Sequence, residues 1–300
     1  MPLVPVTLAL NPWGVLLATD LKQLDRWMAD NPDRVFVPTM GALHAGHVEL
    51  VKRGVDLARE RGWSPRVVVS VFVNPTQFNE AADYARYPKT LEADCEACER
   101  AGAACVFAPG VEDVYPGGVR GFAGELPAVA TEPGLEDAHR PGHFAGVYQV
   151  VERLFRLVRP RVAVFGEKDW QQLQVVRAMV ERERLGVEVV GVETVREPDG
   201  LAMSSRNRFL SPAERAAGLA LSRALRASAS AATPDEGEES MRRVLAEAGL
   251  TPDYAVVREA ASLVRPAVAG PEIRWRAIIA ARVGSVRLLD NAPWQRPRRG

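Results

Sequence analysis

The feature that most restricts the fold of this chain is an alternation, sustained over its first two thirds, between short β-branched runs and helix-patterned segments. Strands are expected at 34–37, 66–73, 105–108, 162–165 and 187–190, with helices at 47–61, 89–101, 145–158 and 170–185. The run 66–73 is almost continuously Val and Phe, the pattern of a strand whose sheet is covered on both faces. Strands separated by helices of this length pair in parallel, because a parallel pair needs a long crossover. The expected fold is therefore α/β, a Rossmann-like doubly wound parallel sheet. Right-handed crossovers bring the C-terminal ends of its strands to one edge, where such sheets bind ligands.

The pattern changes after Thr194. Pro198-Asp199-Gly200 reads as a turn, and Ser211-Pro212-Ala213-Glu214 as a helix start with Ser as N-cap, Pro at the first position and Glu at the third. Two alanine-rich helices, 213–230 and 234–248, are expected to be joined by a Thr-Pro turn, and strands are expected at 253–258, 273–283 and 286–289. Three hundred residues exceed what one core usually holds. The expected organisation is a Rossmann-like domain over 1–194 and a smaller α+β domain over 195–300. The Pro- and Arg-rich segment 293–300 is expected to fray. Residues 1–10 are apolar but short and lack Lys and Arg, which suits an extended lead-in better than a signal peptide.

Thirty-eight basic residues balance thirty-eight acidic ones, so no broad cationic surface for nucleic acid or an anionic membrane is expected. No apolar run approaches the ~20 residues that span a bilayer. Cys95 and Cys98 form a CxxC, but they lie in a helical pattern without a second pair to complete a metal site. With Cys105 they read as ordinary packing positions with reduced thiols. Glu92 and Asp94 read as solvated faces of the same helix.

The strongest local signal is Val35-Phe36-Val37-Pro38-Thr39-Met40-Gly41-Ala42-Leu43-His44-Ala45-Gly46-His47. A strand ends, a Gly-containing loop follows, and a histidine pair opens a helix. A helix start offers backbone N–H groups and partial positive charge to phosphate. Histidines three residues apart share one helical face, and Gly46 permits close approach of a nucleotide. Taken alone, the pair could equally be two residues that cap a helix. A second signal is Val195-Arg196-Glu197 followed by Gly200-Leu201-Ala202-Met203-Ser204-Ser205-Arg206-Asn207. Two hydroxyls and a guanidinium in one loop suit a triphosphate, although a solvated interdomain loop would look similar. The two segments together resemble the HxGH and KMSKS-type pair of the nucleotidylyltransferase superfamily.

Three further segments narrow the resemblance. These are Val71-Phe72-Val73-Asn74-Pro75-Thr76-Gln77-Phe78, Arg140-Pro141-Gly142-His143-Phe144-Ala145-Gly146-Val147 and Phe165-Gly166-Glu167-Lys168-Asp169-Trp170-Gln171-Gln172-Leu173. From about residue 13 to Asn291, the chain resembles the pantothenate synthetase (pantoate–β-alanine ligase) family. It departs at Trp170, where Tyr or Phe is expected, and in its basic tail. The resemblance implies an ATP-dependent condensation of pantoate with β-alanine through a pantoyl adenylate. It implies that His44, His47, Lys168 and Arg206 act on the phosphates, with His47 as proton donor to the leaving group. Met40, Gly41, Gly46, Gly166, Glu167, Asp169, Val195, Met203, Ser204 and Ser205 would complete the ATP site, Asp169 or backbone groups engaging the ribose. Gln77, Gln172 and Met40 would bind pantoate, for which neutral amides both donate and accept without repelling a carboxylate. Asn74, Tyr87, Glu136, Arg140, Val147 and Val150 match pocket-wall positions, although Glu136 and Arg140 could simply pair with each other. The resemblance also implies Mg²⁺ as the ATP counterion and no dedicated protein metal site. A homodimer formed through the larger domain, a cytoplasmic location, and no nucleic-acid or membrane partner complete the expectation. The competing readings are an adenylyltransferase acting on a phosphorylated acceptor and a non-catalytic nucleotide sensor or RNA-binding relative. Glutamines where such an acceptor would want Lys or Arg weigh against the first, and balanced charge against an RNA partner.

Overall fold

Fully buried valine runs form the strands of the larger sheet. The computed structural model describes residues 14–64, 66–77, 84, 87–267, 270 and 272–295. The expectations for residues 1–10, Phe78 and 296–300 lie outside the described residues. The chain divides into two compact units.

The first unit comprises residues up to Gly124 together with Ala145–Phe165 and Met179–Val192. Its sheet contains β1 (Leu16–Ala18), β2 (Val35–Thr39), β3 (Val67–Val71), β4 (Cys105–Phe107), β5 (Val162–Gly166) and β6 (Glu188–Val192), in the order β1-β4-β3-β2-β5-β6. β1 with β4, β3 with both β2 and β4, and β2 with β5 pair in parallel, as the alternation predicts. The chain steps outward from β2 through β3 to β4, then places β5 on the other side of β2. Such a reversal makes a crevice beyond the strand C-termini. The β2–β5 junction is therefore where this sheet is built to take a ligand.

Helices of this unit include α1 (Leu21–Ala29), α2 (Ala45–Glu60), α3 (Leu91–Arg100) and most of α4 (His143–Val158). Val35, Phe36, Val37, Val67, Val68 and Val69 have no exposed surface, because helices cover both faces of the sheet. Leu50, Val51 and Val55 of α2 pack on them with Cys95 and Cys98 of α3. Burial pushes the Cys95 thiol up to about 11, Cys98 to about 12 and Cys105 higher still, so all three are inert packing residues. β1 and α1 lie outside the expected elements. β1 is only three residues long, and its partner β4 lies almost ninety positions further along the chain.

The second unit comprises Glu125–Phe144, Gly166–Ala178 and the chain from Glu193 onward. Two earlier segments thus pack in it with the last stretch. The reason lies in its sheet, β7 (Pro252–Glu259), β8 (Trp275–Val283) and β9 (Val286–Trp294), antiparallel in that order. Helices α5 (Pro212–Gly218), α6 (Ala220–Ser228) and α7 (Pro234–Glu247) build a core against one face with Val257, Ile279 and Leu288. Side chains from the alternate face, including Tyr254, Arg276, Arg287 and Asn291, bond to residues 136, 167 and 168. This second face is buried too, with Val256, Ile278 and Ala280 at 7%, 5% and 0% exposure, and residues of the two inserted segments bond to it.

The capping box at Ser211 forms as expected, with Ser211 N–H donating to Glu214 at 2.7 Å and Glu214 N–H to the Ser211 hydroxyl at 3.3 Å. The single helix expected over 213–230 is instead broken after Gly218, a weak helix former whose missing side chain lets the backbone lie against Leu288. The expectation of fraying from residue 293 fails at its start. Pro293 and Trp294 end β9, and Trp294 is 2% exposed with its indole N–H donating to Ser228 O at 2.7 Å.

Candidate active site

The first unit presents its histidine pair at the C-terminal end of β2. His44 is the N-cap of α2, its Nδ1 accepting from Gly46 N–H at 3.1 Å, and His47 Nδ1 accepts from His44 N–H at 3.3 Å. The capping reading of these histidines is thus correct, and it does not compete with a chemical role. Where Nδ1 accepts, a neutral imidazole carries its proton on Nε2. The rings lie 4.1 Å apart, so the cap sets two Nε2–H donors side by side. It also consumes backbone donors. Gly46 N–H goes to the cap, and His47 and Val48 N–H both go to His44 O. The backbone amides expected at this helix start are therefore engaged, and donor capacity passes to the imidazoles.

The approach to the cap is held by a residue whose sequence pattern reads as solvated. Asp94 is 2% exposed and accepts from Ala42 N–H at 3.1 Å, Leu43 N–H at 2.8 Å and the Thr90 hydroxyl at 3.1 Å. The helical pattern around it holds, but a partner 51 positions away decides its burial. Glu92 remains exposed. Gly41 has a φ of +80°, and a side chain there would lie 2.9 Å from Val71 and 3.0 Å from the Asp94 carboxylate. Asp94→Ala strands two amides and is expected to lower unfolding free energy by about 1–3 kcal/mol. Asp94→Asn, which keeps one acceptor oxygen, should cost less. An unchanged denaturant midpoint in the alanine variant would show that these amides find other acceptors.

Gln77 ends a 3₁₀ turn, Pro75–Gln77, whose shape Asn74 sets. Asn74 is 1% exposed, donating to Thr76 Oγ1 at 2.8 Å and Gly146 O at 3.2 Å while accepting from the Tyr115 hydroxyl at 2.8 Å. Expected at a pocket wall, it is a saturated brace under the turn. A side chain on Gly146 would meet Thr76 O at 2.6 Å, so glycine is what lets α4 lie against the turn. Gln77 is half-buried, as are Met40 and Tyr87, and its amide has no partner among the described residues. Val147 and Val150 are 1% and 5% exposed, which leaves little of either to line an open surface.

In the second unit, Lys168 and Asp169 follow β5, with Lys168 Nζ 3.5 Å from the Asp169 carboxylate. Burial pushes the Asp169 carboxyl up, yet the charges of Lys168, Arg140 and Arg206 hold it below the usual carboxylate range. His143 is driven down to about 3, first by burial and then by Arg140, and is neutral at physiological pH. Its Nε2 faces Arg140 Nη1 at 3.1 Å, and its buried Nδ1 has no hydrogen-bond partner among the described residues. The motif Arg140–Val147 contains this histidine, but its spacing carries no ligand signature.

The Ser204–Arg206 loop is braced on all sides. Met203 N–H donates to Val195 O at 2.9 Å, and Asn207 Nδ2 donates to Ala202 O at 3.0 Å and Glu197 at 2.6 Å. Arg196 holds Asp290 through two bonds of 2.7 and 3.0 Å. Arg206 itself is exposed, and Ser204 and Ser205 are half-buried. The surrounding ion pairs hold the loop's shape and leave the Arg206 guanidinium at the surface.

Glu136 and Glu167 are committed elsewhere. Glu136, 6% exposed, accepts from the Tyr254 hydroxyl at 2.6 Å and from Arg287 at 2.7 and 2.8 Å. Its pairing with Arg140 exists but is longer, 3.7 Å. Glu167 accepts from Arg276 at 2.9 Å. Gln172 is half-buried with no hydrogen-bond partner among the described residues, while its neighbour Gln171 donates to Val129 O and Asp137, both at 2.9 Å. Trp170, the residue that departs from the family pattern, donates from Nε1 to Ala260 O at 2.7 Å and stacks 3.6 Å from the Arg276 guanidinium. Phe has no side-chain donor, and the Tyr hydroxyl sits at the tip of its ring and not at the position of the indole N–H.

The family model described as pantoate-beta-alanine ligase matches residues 17–293. A pantothenate synthetase from Nocardioides sp. is 50% identical over 275 residues, covering 88% of this chain and 79% of the relative. One from Thioalkalivibrio sulfidiphilus is 47% identical, covering 92% and 96%. The crystal structure of pantothenate synthetase from Thermus thermophilus superposes with a TM-score of 0.80 at 44% identity, over 92% of this chain and 98% of that one. A pantoate-β-alanine ligase from Francisella tularensis, crystallised with β-γ ATP and β-alanine, superposes with a TM-score of 0.71 at 29% identity, over 93% and 97%.

Proposed function

This chain belongs to the pantoate–β-alanine ligase family, and from that premise we infer which of its residues carry the ligation. The reaction is the ATP-dependent condensation of pantoate with β-alanine. A carboxylic acid with a pKa near ~4 is already ionised at neutral pH, so the first step needs no general base. A pantoate carboxylate oxygen attacks the α-phosphorus, and the bond to the bridging oxygen breaks with its electrons leaving on pyrophosphate. The amine of β-alanine then attacks the acyl carbon of the pantoyl adenylate, expelling AMP and losing a proton.

The protein's work in the first step is orientation and neutralisation of the charge that develops on the phosphates. The single observation that carries this assignment is geometric: the Lys168 ammonium lies 3.5 Å from the Asp169 carboxylate at the residues that follow β5, and the charges of Arg140 and Arg206 act on the same carboxylate. Lys168 acts on the α-phosphate, and Arg206 with Ser204 and Ser205 on the distal ones. The Nε2–H groups of His44 and His47 donate to phosphate oxygens, His47 to the departing group. Gln77 and Gln172, whose side-chain amides have no partner among the described residues, serve the pantoate hydroxyls.

Among the described residues no group of three or more His, Cys, Asp or Glu could hold a metal ion. Mg²⁺ enters as the counterion of ATP, held by phosphate oxygens and water, as is ordinary for this ion. Among the described residues no helix is long and apolar enough to cross a membrane. A cytoplasmic location and a homodimer complete the proposal and rest on the family resemblance.

The deciding assay is exchange of labelled pyrophosphate into ATP. Exchange should require pantoate and proceed without β-alanine, whereas net AMP release should require all three substrates. Exchange supported by a phosphorylated acceptor in place of pantoate would overturn the acyl-adenylate route.

A further inference from the structure

We propose that Asn291 is a positioning residue for Lys168, fixing the backbone from which that lysine projects; this rests on the assignment of Lys168 to the phosphates. Asn291 lies on β9, opposite Ile278 of β8, and is 3% exposed. Its Nδ2 donates both hydrogens to consecutive backbone carbonyls, Glu167 O at 2.9 Å and Lys168 O at 2.8 Å. Its Oδ1 accepts from Arg276 Nε at 2.7 Å. Two adjacent carbonyls tied to one amide nitrogen cannot rotate independently, so the direction in which Lys168 leaves the chain is set. The clamp continues around that point. Arg276 reaches Glu167 at 2.9 Å and lies 3.6 Å over the Trp170 ring, and Trp170 is tied to Ala260 O at 2.7 Å.

No other side chain of this size meets all three demands. Aspartate would point an oxygen at two carbonyls, and leucine would leave both carbonyls and the Arg276 Nε–H without Asn291 as partner. The neighbouring residue extends the pattern, because Asp290 holds Arg196 at the base of the Ser204–Arg206 loop. Consecutive residues of one strand therefore anchor the two segments assigned to the phosphates. A buried asparagine serving only the fold would also be saturated with hydrogen bonds. What separates the roles is whether its loss acts through Lys168.

The test is a double-mutant cycle in pantoate-dependent ATP–pyrophosphate exchange, assayed well below each variant's melting midpoint. Asn291→Ala should lower kcat by about 10–100-fold, the scale of a misplaced catalytic group. It should leave the KM for pantoate within about twofold. In the Lys168→Ala background the same change should cost no more than about threefold further, because a lysine that is absent cannot be misplaced. Arg276→Lys, which keeps the charge but not the fork, should show a smaller loss with the same failure to add. It carries the cycle should Asn291→Ala not fold. Near-wild-type kcat in a folded Asn291→Ala, or full multiplication of the two losses, would overturn the proposal. Undiminished exchange in Lys168→Ala alone would instead remove the lysine assignment on which it rests.

Discussion

Replacing Lys168 by alanine is expected to slow pantoate-dependent pyrophosphate exchange by about 10²–10³-fold, the usual cost of losing one well-aimed electrostatic group. The ammonium lies 3.5 Å from the Asp169 carboxylate at a partly exposed site, so the pair contributes little to stability. The melting midpoint should therefore move by only a few degrees while the rate collapses. The loss should fall on kcat, since the charge Lys168 answers is greatest in the transition state. Lys168→Arg should recover only part of it, because a planar fork cannot occupy the position of a compact ammonium. Turnover near wild type in Lys168→Ala would take this residue off the catalytic list.

His47→Ala is expected to produce a rate loss of the same order, about 10²–10³-fold, for a reason that must be separated from its capping role. His47 Nδ1 accepts the His44 N–H at 3.3 Å, and loss of a cap costs about 1 kcal/mol. That destabilisation is too small to account for the rate. His47→Asn offers an oxygen acceptor close to where Nδ1 sits but supplies no imidazole proton. Its melting midpoint should approach wild type while exchange stays slow. Recovery of rate in the asparagine variant would assign His47 to the cap alone.

The candidate site was legible wherever its proposed chemistry and local backbone coincide. The histidine pair, the Lys168-Asp169 junction and the Ser204–Arg206 loop are each a few contiguous residues at a strand or helix end, so their composition exposes them. Their supports were not. Asp94 looks like one more carboxylate on an amphipathic helix, and only the packing of the 42–43 backbone against α3 buries it. Asn74 sits in a recognisable motif that points to a pocket wall, yet its amide is spent on Gly146 and Tyr115, 72 and 41 positions away. Glu136 meets Arg287 across 151 positions, a partner that no spacing rule suggests.

What the amino-acid order by itself determined is the set of short-range structures: the buried valine strands, the Ser211 cap and the parallel character of the larger sheet. Side-chain branching, capping hydrogen bonds and crossover length act within a turn or one strand–helix unit, so neighbours in sequence are sufficient to settle them. Tertiary structure decided the membership of the units and the inner braces of the site. Segments 125–144 and 166–178 join the second unit through their bonds to the far face of β7–β9. Burial and hydrogen-bond partners depend on which distant segment arrives, and that is settled only when the whole core closes.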